Sequence, residues 1–400
     1  MSAPEHTHGH LPGMSGGYQY APFELGVCGA PGTMDSPPVA ALLGELASTY
    51  RVGVVRRESA VAAAEGAAGL ILTRGNGSFS YTGAGEIDRL LLPALWQEAD
   101  VVLAEAGARE PIAKIVVLDP SSSLLDEIES TGAGNILAFV LPRALPEAVR
   151  ERSRRVAARP GIGTAEGSGP ALLEAHETDG LARLVLSYLT ARAESTPLYG
   201  LALSGGASSR MGRDKAAIPY HGVPQVRHAY ALLERVCKRV FVSLKSERSG
   251  EALFSGLHQL HDRFLGIGPV GGILTAMHEH PNAAWLVLGC DLPYVGEETL
   301  RRLAAERDPI MLATCYLSSH DALPEPMCAI YEPAIRPRIL QFLGQGRDCP
   351  RKTLINSRTK RIALQTPQEL DNVNTPEEAQ GALAQLARST AVSGGRGSEA

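Results

Sequence analysis

The amino-acid sequence predicts an α/β protein with two domains, each built on an open and mostly parallel β-sheet. Short β-rich runs alternate with helical segments twice along the chain, from Phe23 to about Leu141 and again from Leu198 onward. A length of 400 residues allows two or three domains at roughly 150 residues each. The 42 glycines and 27 prolines, against only 5% aromatic residues, suit many tight turns between strands and helices.

The first domain is predicted over residues 21–145, after a disordered tail at 1–20 that is rich in Gly, His, Pro and Ser. We expect strands at 23–29, 51–55, 99–106 and 115–119 and a helix at 38–50. Charged helical sequence then predicts a helical connector over residues 146–197, interrupted by a Gly-rich stretch. Its arginines alternate with acidic residues, which favours a solvated helix face over a nucleic-acid-binding surface.

The second domain is predicted over residues 198–385, with a polar tail at 386–400. We expect its strands at 198–203, 240–244, 285–289 and 310–315. The carboxyl ends of such strands are where open α/β sheets bind their ligands. This domain is therefore expected to carry the chemistry.

Composition excludes several classes of protein. The formal net charge of −5 argues against a chain that holds nucleic acid by bulk positive charge. The longest apolar runs, such as 283–289, are far shorter than the roughly 18 residues that cross a bilayer, so no membrane association is expected. Six dispersed cysteines without a C-x-x-C pair, and a first segment without a basic or apolar signal region, predict reduced thiols and a cytoplasmic location.

A glycine-rich block with two cations follows the first strand of the second domain. Gly205 and Gly206 let the backbone approach a phosphate closely and direct its N–H groups at it. Arg210 and Lys215 add formal positive charge. The block predicts a site for a triphosphate.

Further candidate ligands follow later strands. Asp291 stands after the strand at 285–289, where a carboxylate suits Mg²⁺ or, alternatively, caps a turn. Gly271 belongs to a Gly-rich loop before a helix, which offers N–H donors or is a plain turn. Asp262 could accept a hydrogen bond from a ligand or cap a turn. Asn374 lies in a segment that is also a good helix N-cap signal.

The block from Leu203 to Lys215, L-S-G-G-A-S-S-R-M-G-R-D-K, resembles the signature of nucleotidyltransferases, and among them the molybdenum cofactor guanylyltransferases of MobA type. Ser204 stands where alanine is usual. Later segments resemble the same family in the right order, namely Asp262 with G-P-V-G-G-I, then C-D-L-P around Asp291, then N-V-N-T-P-E-E around Asn374. The resemblance spans about residues 198–385 and implies a Rossmann-like nucleotidyltransferase fold.

The resemblance implies transfer of GMP from GTP to the phosphate of molybdopterin, with pyrophosphate released and Mg²⁺ as cofactor. It implies catalytic roles for Arg210, Lys215 and Asp291, with Asp291 as the metal ligand. The residues that it implies for nucleotide binding are Leu203, Ser204, Gly205, Gly206, Lys215, Asp262, Gly271 and Asp291. Asn374 is the preferred acceptor-binding residue. Arg347, in a loop of three cations, could reach an anionic acceptor or be solvated.

The first domain has the setting of a phosphate-binding P-loop without its key residues. The block 29–36, G-A-P-G-T-M-D-S, lies between a predicted strand and a helix, but Met34 stands where the second glycine belongs and Asp35 where the lysine belongs. This domain resembles the P-loop adaptor of MobB type. A generic α/β domain with a Pro-Gly turn is the alternative.

Two other functions stay open. The chain could be a nucleotidyltransferase for another phosphorylated small molecule. It could instead be a non-catalytic molybdenum-cofactor binding or scaffold protein. Molybdenum enzymes or their chaperones are possible partners in either case.

Overall fold

The structure is a computed structural model, and it describes residues 23–56, 70–74, 79–83, 99–164, 169–204 and 214–394. The described residues fall into two compact units, one ending at residue 191 and the other beginning at residue 192. Each unit is an α/β arrangement around its own large sheet, as the sequence predicts. None of the described helices is long and apolar enough to cross a membrane.

The first unit has a six-stranded parallel sheet with the strand order β2-β5-β1-β6-β7-β8 and a separate antiparallel pair, β3 and β4. Its strands are β1 (Glu24–Cys28), β2 (Val52–Val55), β3 (Leu70–Arg74), β4 (Phe79–Gly83), β5 (Val101–Glu105), β6 (Lys114–Val117), β7 (Ile136–Leu141) and β8 (Ala171–Glu174). Its helices are α1 (Pro37–Thr49), α2 (Ser123–Thr131), α3 (Glu147–Ala157) and α4 (Thr178–Glu194). Every residue of β1 and β7 is buried, as expected for parallel strands covered on both faces.

The stretch predicted as a helical connector contains a strand. Helices α3 and α4 lie where they were expected, but β8 pairs with β7 in parallel and completes the first sheet at its edge. In α3, Val156 is buried in the core of the first unit. The strand escaped prediction because its four residues, Ala-Leu-Leu-Glu, are too few to show an alternating strand pattern.

The second unit has a seven-stranded sheet with the order β11-β10-β9-β12-β14-β13-β15, in which only β14 runs antiparallel to its neighbours. Its strands are β9 (Leu198–Leu203), β10 (Arg239–Leu244), β11 (Gln259–His261), β12 (Ala284–Gly289), β13 (Ala313–Leu317), β14 (Pro324–Tyr331) and β15 (Thr359–Ala363). Its helices are α5 (Gln225–Glu234), α6 (Pro269–Glu279), α7 (Glu297–Ala305), α8 (Arg336–Gly344), α9 (Pro350–Ile355) and α10 (Pro376–Gly394).

The core of this unit lies on both faces of the sheet. Successive side chains of β12 alternate, so that Leu286 and Leu288 pack into one buried cluster and Trp285 and Val287 into the other. Helix α10 continues to Gly394, whereas a polar tail was expected from residue 386. The helix extends because Leu386 still packs against the apolar cluster that contains Val373.

Candidate active site

The site lies at the carboxyl edge of the second sheet, where the ends of neighbouring strands stand in register. Leu203, the last residue of β9, pairs with Ser243 of β10 on one side and with Gly289 of β12 on the other. Ser204, the described residue after β9, and Cys290, the residue after β12, therefore leave the sheet side by side. Gly205, Gly206 and Arg210 belong to residues 205–213, which lie outside the described residues.

Asp291 emerges from the end of β12 into a largely enclosed position. A Cβ atom on Gly289 would lie 2.5 Å from the Asp291 Oδ1, so glycine is needed there for the carboxylate to take this position. Among the residues that the structure describes, its Oδ1 atom is buried without a hydrogen-bond partner. Burial raises the pKa of the Asp291 carboxyl, while the nearby Lys215 ammonium acts in the opposite direction.

Lys215 connects Asp291 with the last predicted segment. Its Nζ donates to the Oδ1 of Asn374 over 2.6 Å and lies 4.0 Å from the Asp291 Oδ2. The structure therefore brings together three of the residues predicted from separate blocks of sequence. The cluster has one ammonium, one carboxylate and one amide.

A capping box orients Asn374. The Glu378 Oε2 accepts from the backbone N–H of Asn374 over 2.6 Å and from that of Thr375 over 3.2 Å. In return, the Thr375 Oγ1 accepts from the backbone N–H of Glu378 over 3.2 Å. The segment around Asn374 therefore both caps helix α10 and contacts Lys215 of the site.

Asp262 lies near the same edge, directly after β11, which is separated from β12 by the strands β10 and β9. Its Oδ1 accepts from the Ser243 Oγ over 2.6 Å, and burial raises the pKa of its carboxyl. The Ser204 Oγ donates to the backbone carbonyl of Ser243 over 2.7 Å. The buried Ser204 side chain therefore ties β9 to β10, and its hydroxyl is already used within the protein.

Gly271 lies at the first turn of α6, against the loop that follows Asp262. A Cβ atom at this position would lie 2.2 Å from the Phe264 backbone carbonyl oxygen, so only glycine lets the helix start pack so closely. Leu203 is buried in the apolar cluster beneath this helix. Both residues therefore shape the edge of the site.

Arg347 is placed apart from the Lys215 cluster. Its guanidinium carbon lies 5.9 Å from the centre of the Phe342 ring, and the contacts of the described residues do not connect it to Asp291. Arg351, in the first turn of α9, donates instead to the buried Glu325 over 2.7 Å. Burial raises the pKa of the Glu325 carboxyl and the negative charge of Asp291 acts in the same direction, while the Arg351 guanidinium acts against both.

Sequence reasoning missed two residues of this region. Glu378 could have been found from the Thr375-x-x-Glu378 pattern, which is the signature of a capping box. Arg248 donates through its Nη2 to the Oδ2 of Asp214, the neighbour of Lys215. No local pattern predicts this pair, because the two residues meet only through the packing of separate loops.

The donor set around Asp291 fits a hard divalent cation. An enclosed carboxylate oxygen without a hydrogen-bond partner is suited to a metal ligand. Within the described ranges, no group of three or more His, Cys, Asp or Glu residues could hold a metal. A single protein carboxylate that shares the ion with substrate phosphates is typical of Mg²⁺ rather than of a closed protein site.

In the P-loop-like segment of the first unit, backbone N–H groups are hydrogen-bonded within the segment itself. The backbone N–H groups of Thr33, Asp35 and Ser36 donate to Ala30, Gly32 and Thr33 at 3.0 Å each. Met34 is buried. The Asp35 carboxylate accepts two hydrogen bonds of 2.7 Å from the Arg56 guanidinium.

Comparison with known proteins identifies the second unit. Residues 200–362 match the family described as the MobA-like NTP transferase domain. A molybdenum cofactor biosynthesis bifunctional protein from Synechocystis is 36% identical over 183 residues, which are 46% of this chain. The match covers 53% of that protein, so the chain spans about half of its length.

Shorter relatives are covered almost completely. A probable molybdenum cofactor guanylyltransferase from Nostoc is 31% identical over 182 residues, which are 45% of this chain and 88% of that protein. Among solved structures, molybdopterin-guanine dinucleotide biosynthesis protein A from Archaeoglobus fulgidus aligns at 20% identity with a TM-score of 0.41, covering 48% of this chain and 99% of that one. On the sequence matches, the chain belongs to the family of MobA-type molybdenum cofactor guanylyltransferases.

Proposed function

We propose that the protein transfers GMP from GTP to the phosphate of molybdopterin, so that molybdopterin guanine dinucleotide forms and pyrophosphate leaves. The cluster of Lys215, Asp291 and Asn374 carries this proposal, because it places a cation, a candidate metal ligand and an amide at one sheet edge. The names of the relatives support the substrates. The chemistry would take place in the cytoplasm.

In this reaction an oxygen of the acceptor phosphate forms a bond to the α-phosphorus of GTP, and the bond from that phosphorus to the bridging oxygen of pyrophosphate breaks. The acceptor phosphate is already ionised, so the protein need not supply a general base. Its contribution is to position the two phosphates and to place positive charge where negative charge develops.

We assign the charges as follows. Lys215 binds the triphosphate, together with Arg210 and the backbone of Gly205 and Gly206. Asp291 would hold Mg²⁺, which supplies charge neutralisation at the phosphates when it is bound. The buried Oδ1 of Asp291, to which no described residue donates, supports this assignment.

The remaining residues are divided between the two substrates. Asp262, Gly271, Leu203 and Ser204 border the nucleoside end of GTP. Asn374 contacts the acceptor, and its bond to Lys215 supports a position between the two substrates. Arg347, whose guanidinium lies over the Phe342 ring, is the candidate for meeting the anionic acceptor, because Arg351 is held by the carboxylates of Glu325 and Asp321.

The test is to measure pyrophosphate release with each of the four nucleoside triphosphates, with and without molybdopterin, in the presence and absence of Mg²⁺. We expect release only with GTP, molybdopterin and Mg²⁺ together. Release with GTP and a sugar phosphate in place of molybdopterin would assign a different acceptor. Binding of molybdopterin without release from any triphosphate would indicate a scaffold protein for molybdenum enzymes or their chaperones.

A further inference from the structure

We infer that Arg248 is a positioning residue for Lys215 and acts through Asp214. The inference rests on the proposed function, because it assumes that Lys215 meets the triphosphate. The Asp214 carboxylate has two oxygens with two separate tasks. One fixes the backbone turn that carries Lys215, and the other is held by Arg248.

The turn at Lys215 depends on Asp214. The Asp214 Oδ1 accepts from the backbone N–H of Ala216 over 3.0 Å, and the Asp214 backbone carbonyl accepts from Ala217 over 3.1 Å. These bonds start the 3-10 turn Lys215–Ala217. The backbone at Lys215 is thereby fixed, which limits the directions that its long, flexible side chain can take.

Arg248 is itself held firmly. Its Nε and Nη2 donate to the two carboxylate oxygens of Glu251 over 2.8 Å each, and its guanidinium carbon lies 4.8 Å from the centre of the buried Phe254 ring. Its side chain is only 19% exposed. A guanidinium fixed on several sides is a better anchor for Asp214 than water or a free lysine.

The contacts from Arg248 through Asp214 to Lys215 connect the segment after β10 with the Asp291 side of the site. Arg248 follows β10, whereas Asp291 follows β12, and β9 lies between these strands. Among the described contacts, Arg248 reaches Lys215 only by way of Asp214. If this path sets the direction of the ammonium, disrupting Arg248 should act on catalysis only while Lys215 is present.

A double-mutant cycle tests whether the effect of Arg248 depends on Asp214 and Lys215. Arg248→Gln removes the anchor, and Asp214→Asn keeps an oxygen for the Ala216 cap while it removes the charge. We expect each variant to lower kcat for pyrophosphate release about tenfold, and the double variant to lose about tenfold as well, because both changes break one link. In the Lys215→Ala background, Arg248→Gln should change kcat less than twofold.

Arg227→Gln is the matched control. Arg227 donates to the carbonyls of Ala252 and Ser255 over 3.1 and 2.8 Å, so it supports the same loop without touching Asp214. We expect its kcat to stay within twofold of the unmodified protein. If Arg248→Gln is too unstable to assay, Arg248→Lys replaces it in the cycle, with an expected loss of about threefold that again vanishes without Lys215.

The inference is overturned if the loss from Arg248→Gln persists in the Lys215→Ala background or multiplies with that from Asp214→Asn. Either result would mean that Arg248 only stabilises its loop. The same cycle is run on the Kd of each Mg-nucleoside triphosphate by calorimetry without an acceptor. If Arg248 and Lys215 are coupled in the binding of a nucleotide other than GTP, guanylyl transfer is rejected and the positioning role of Arg248 is retained. If the protein turns over GTP normally but the two residues are not coupled, only the positioning role is rejected.

Discussion

Val373 donates its backbone N–H to the backbone carbonyl of Asp291 over 2.8 Å. The loop that carries the buried carboxylate is therefore joined through the main chain to the segment that carries Asn374. Lys215 joins the same two segments through side chains, because its Nζ donates to Asn374 and lies near the Asp291 carboxylate. Residues that share partners in this way do not act independently, so substitutions among them should give non-additive effects.

We predict that Asp291→Asn abolishes Mg²⁺-dependent turnover and leaves the fold intact. A neutral amide holds a hard cation much less well than a carboxylate, and we expect a loss of roughly a hundredfold or more. The substitution also removes a charge from a largely enclosed position, so thermal stability should not fall. A Mg²⁺ titration of pyrophosphate release checks this, and near-normal turnover at ordinary Mg²⁺ would reject Asp291 as the metal ligand.

Lys215→Ala should lower turnover by a factor of roughly ten to a thousand, as expected when one charged stabiliser of the phosphates is lost. The same change removes the ammonium that lowers the pKa of Asp291. The Asp291 carboxyl then stays protonated to a higher pH, so the acid limb of the pH–rate profile should move upward. A profile that keeps its shape and rate would make Lys215 a residue without a role in the site.

Glu378→Ala should weaken acceptor binding more than it slows the chemical step. It removes the oxygen that fixes the backbone of Asn374, and loss of such a cap costs about 1 kcal/mol. We expect the KM for molybdopterin to rise roughly fivefold. Glu378→Gln retains an acceptor oxygen and should be close to normal. Glu377→Ala changes the neighbouring exposed glutamate of the same helix turn and is the control. An equal effect of both alanine variants would contradict the capping role.

The stacked pair His221 and His228 should make the second unit sensitive to acid. The ring centres are 3.7 Å apart, and burial, reinforced by His221, lowers the pKa of His228 to about 4. In the unfolded chain His228 has the ordinary value of 6.5. The unfolded state therefore binds more protons between pH 6.5 and 4, and stability falls as the pH is lowered through this range.

The loss should be about 1 to 2 kcal/mol after allowance for partial exposure of the ring. His228→Phe cannot take up this proton, so its unfolding free energy should fall less between pH 7 and 5 than that of the unmodified protein. Urea unfolding at the two pH values measures the difference. Replacement of the exposed His261 is the control. Parallel pH dependences of the unmodified protein and His228→Phe would show that the stack does not titrate as described.

Local patterns predicted the parts of the site that depend on local structure. The end of β9, the loop after β12 and the helix start after Asn374 are each encoded by an apolar run followed by a turn or cap signal. Because carboxyl ends of parallel strands share one edge, these segments could be expected to meet. The resemblance then supplied the individual roles.

Long-range pairings were not predictable in this way. Asp214 and Arg248 lie in separate loops, and their contact depends on the packing of these loops, in which the Arg248 guanidinium lies over the Phe254 ring. Arg347 and Arg351 are equally basic in the sequence, and only their contacts distinguish them: Arg351 donates to Glu325 and Asp321, whereas Arg347 lies over the Phe342 ring. The strand β8 is likewise defined by its pairing with β7 rather than by its own residues.

The P-loop-like segment of the first unit should not bind GTP. A phosphate-binding loop needs free backbone N–H groups and a cation, and here three such groups are bonded within the loop while Arg56 is occupied by Asp35. Calorimetry on the full chain should therefore show one GTP site, and Lys215→Ala combined with Asp291→Ala should abolish binding at micromolar GTP. Asp35→Asn with Arg56→Gln, which opens the ion pair, should leave the stoichiometry at one. Residual tight Mg·GTP binding in the Lys215 and Asp291 double variant, lost again on adding Arg56→Gln, would show instead that Arg56 replaces the missing lysine and that the first unit is a second nucleotide site.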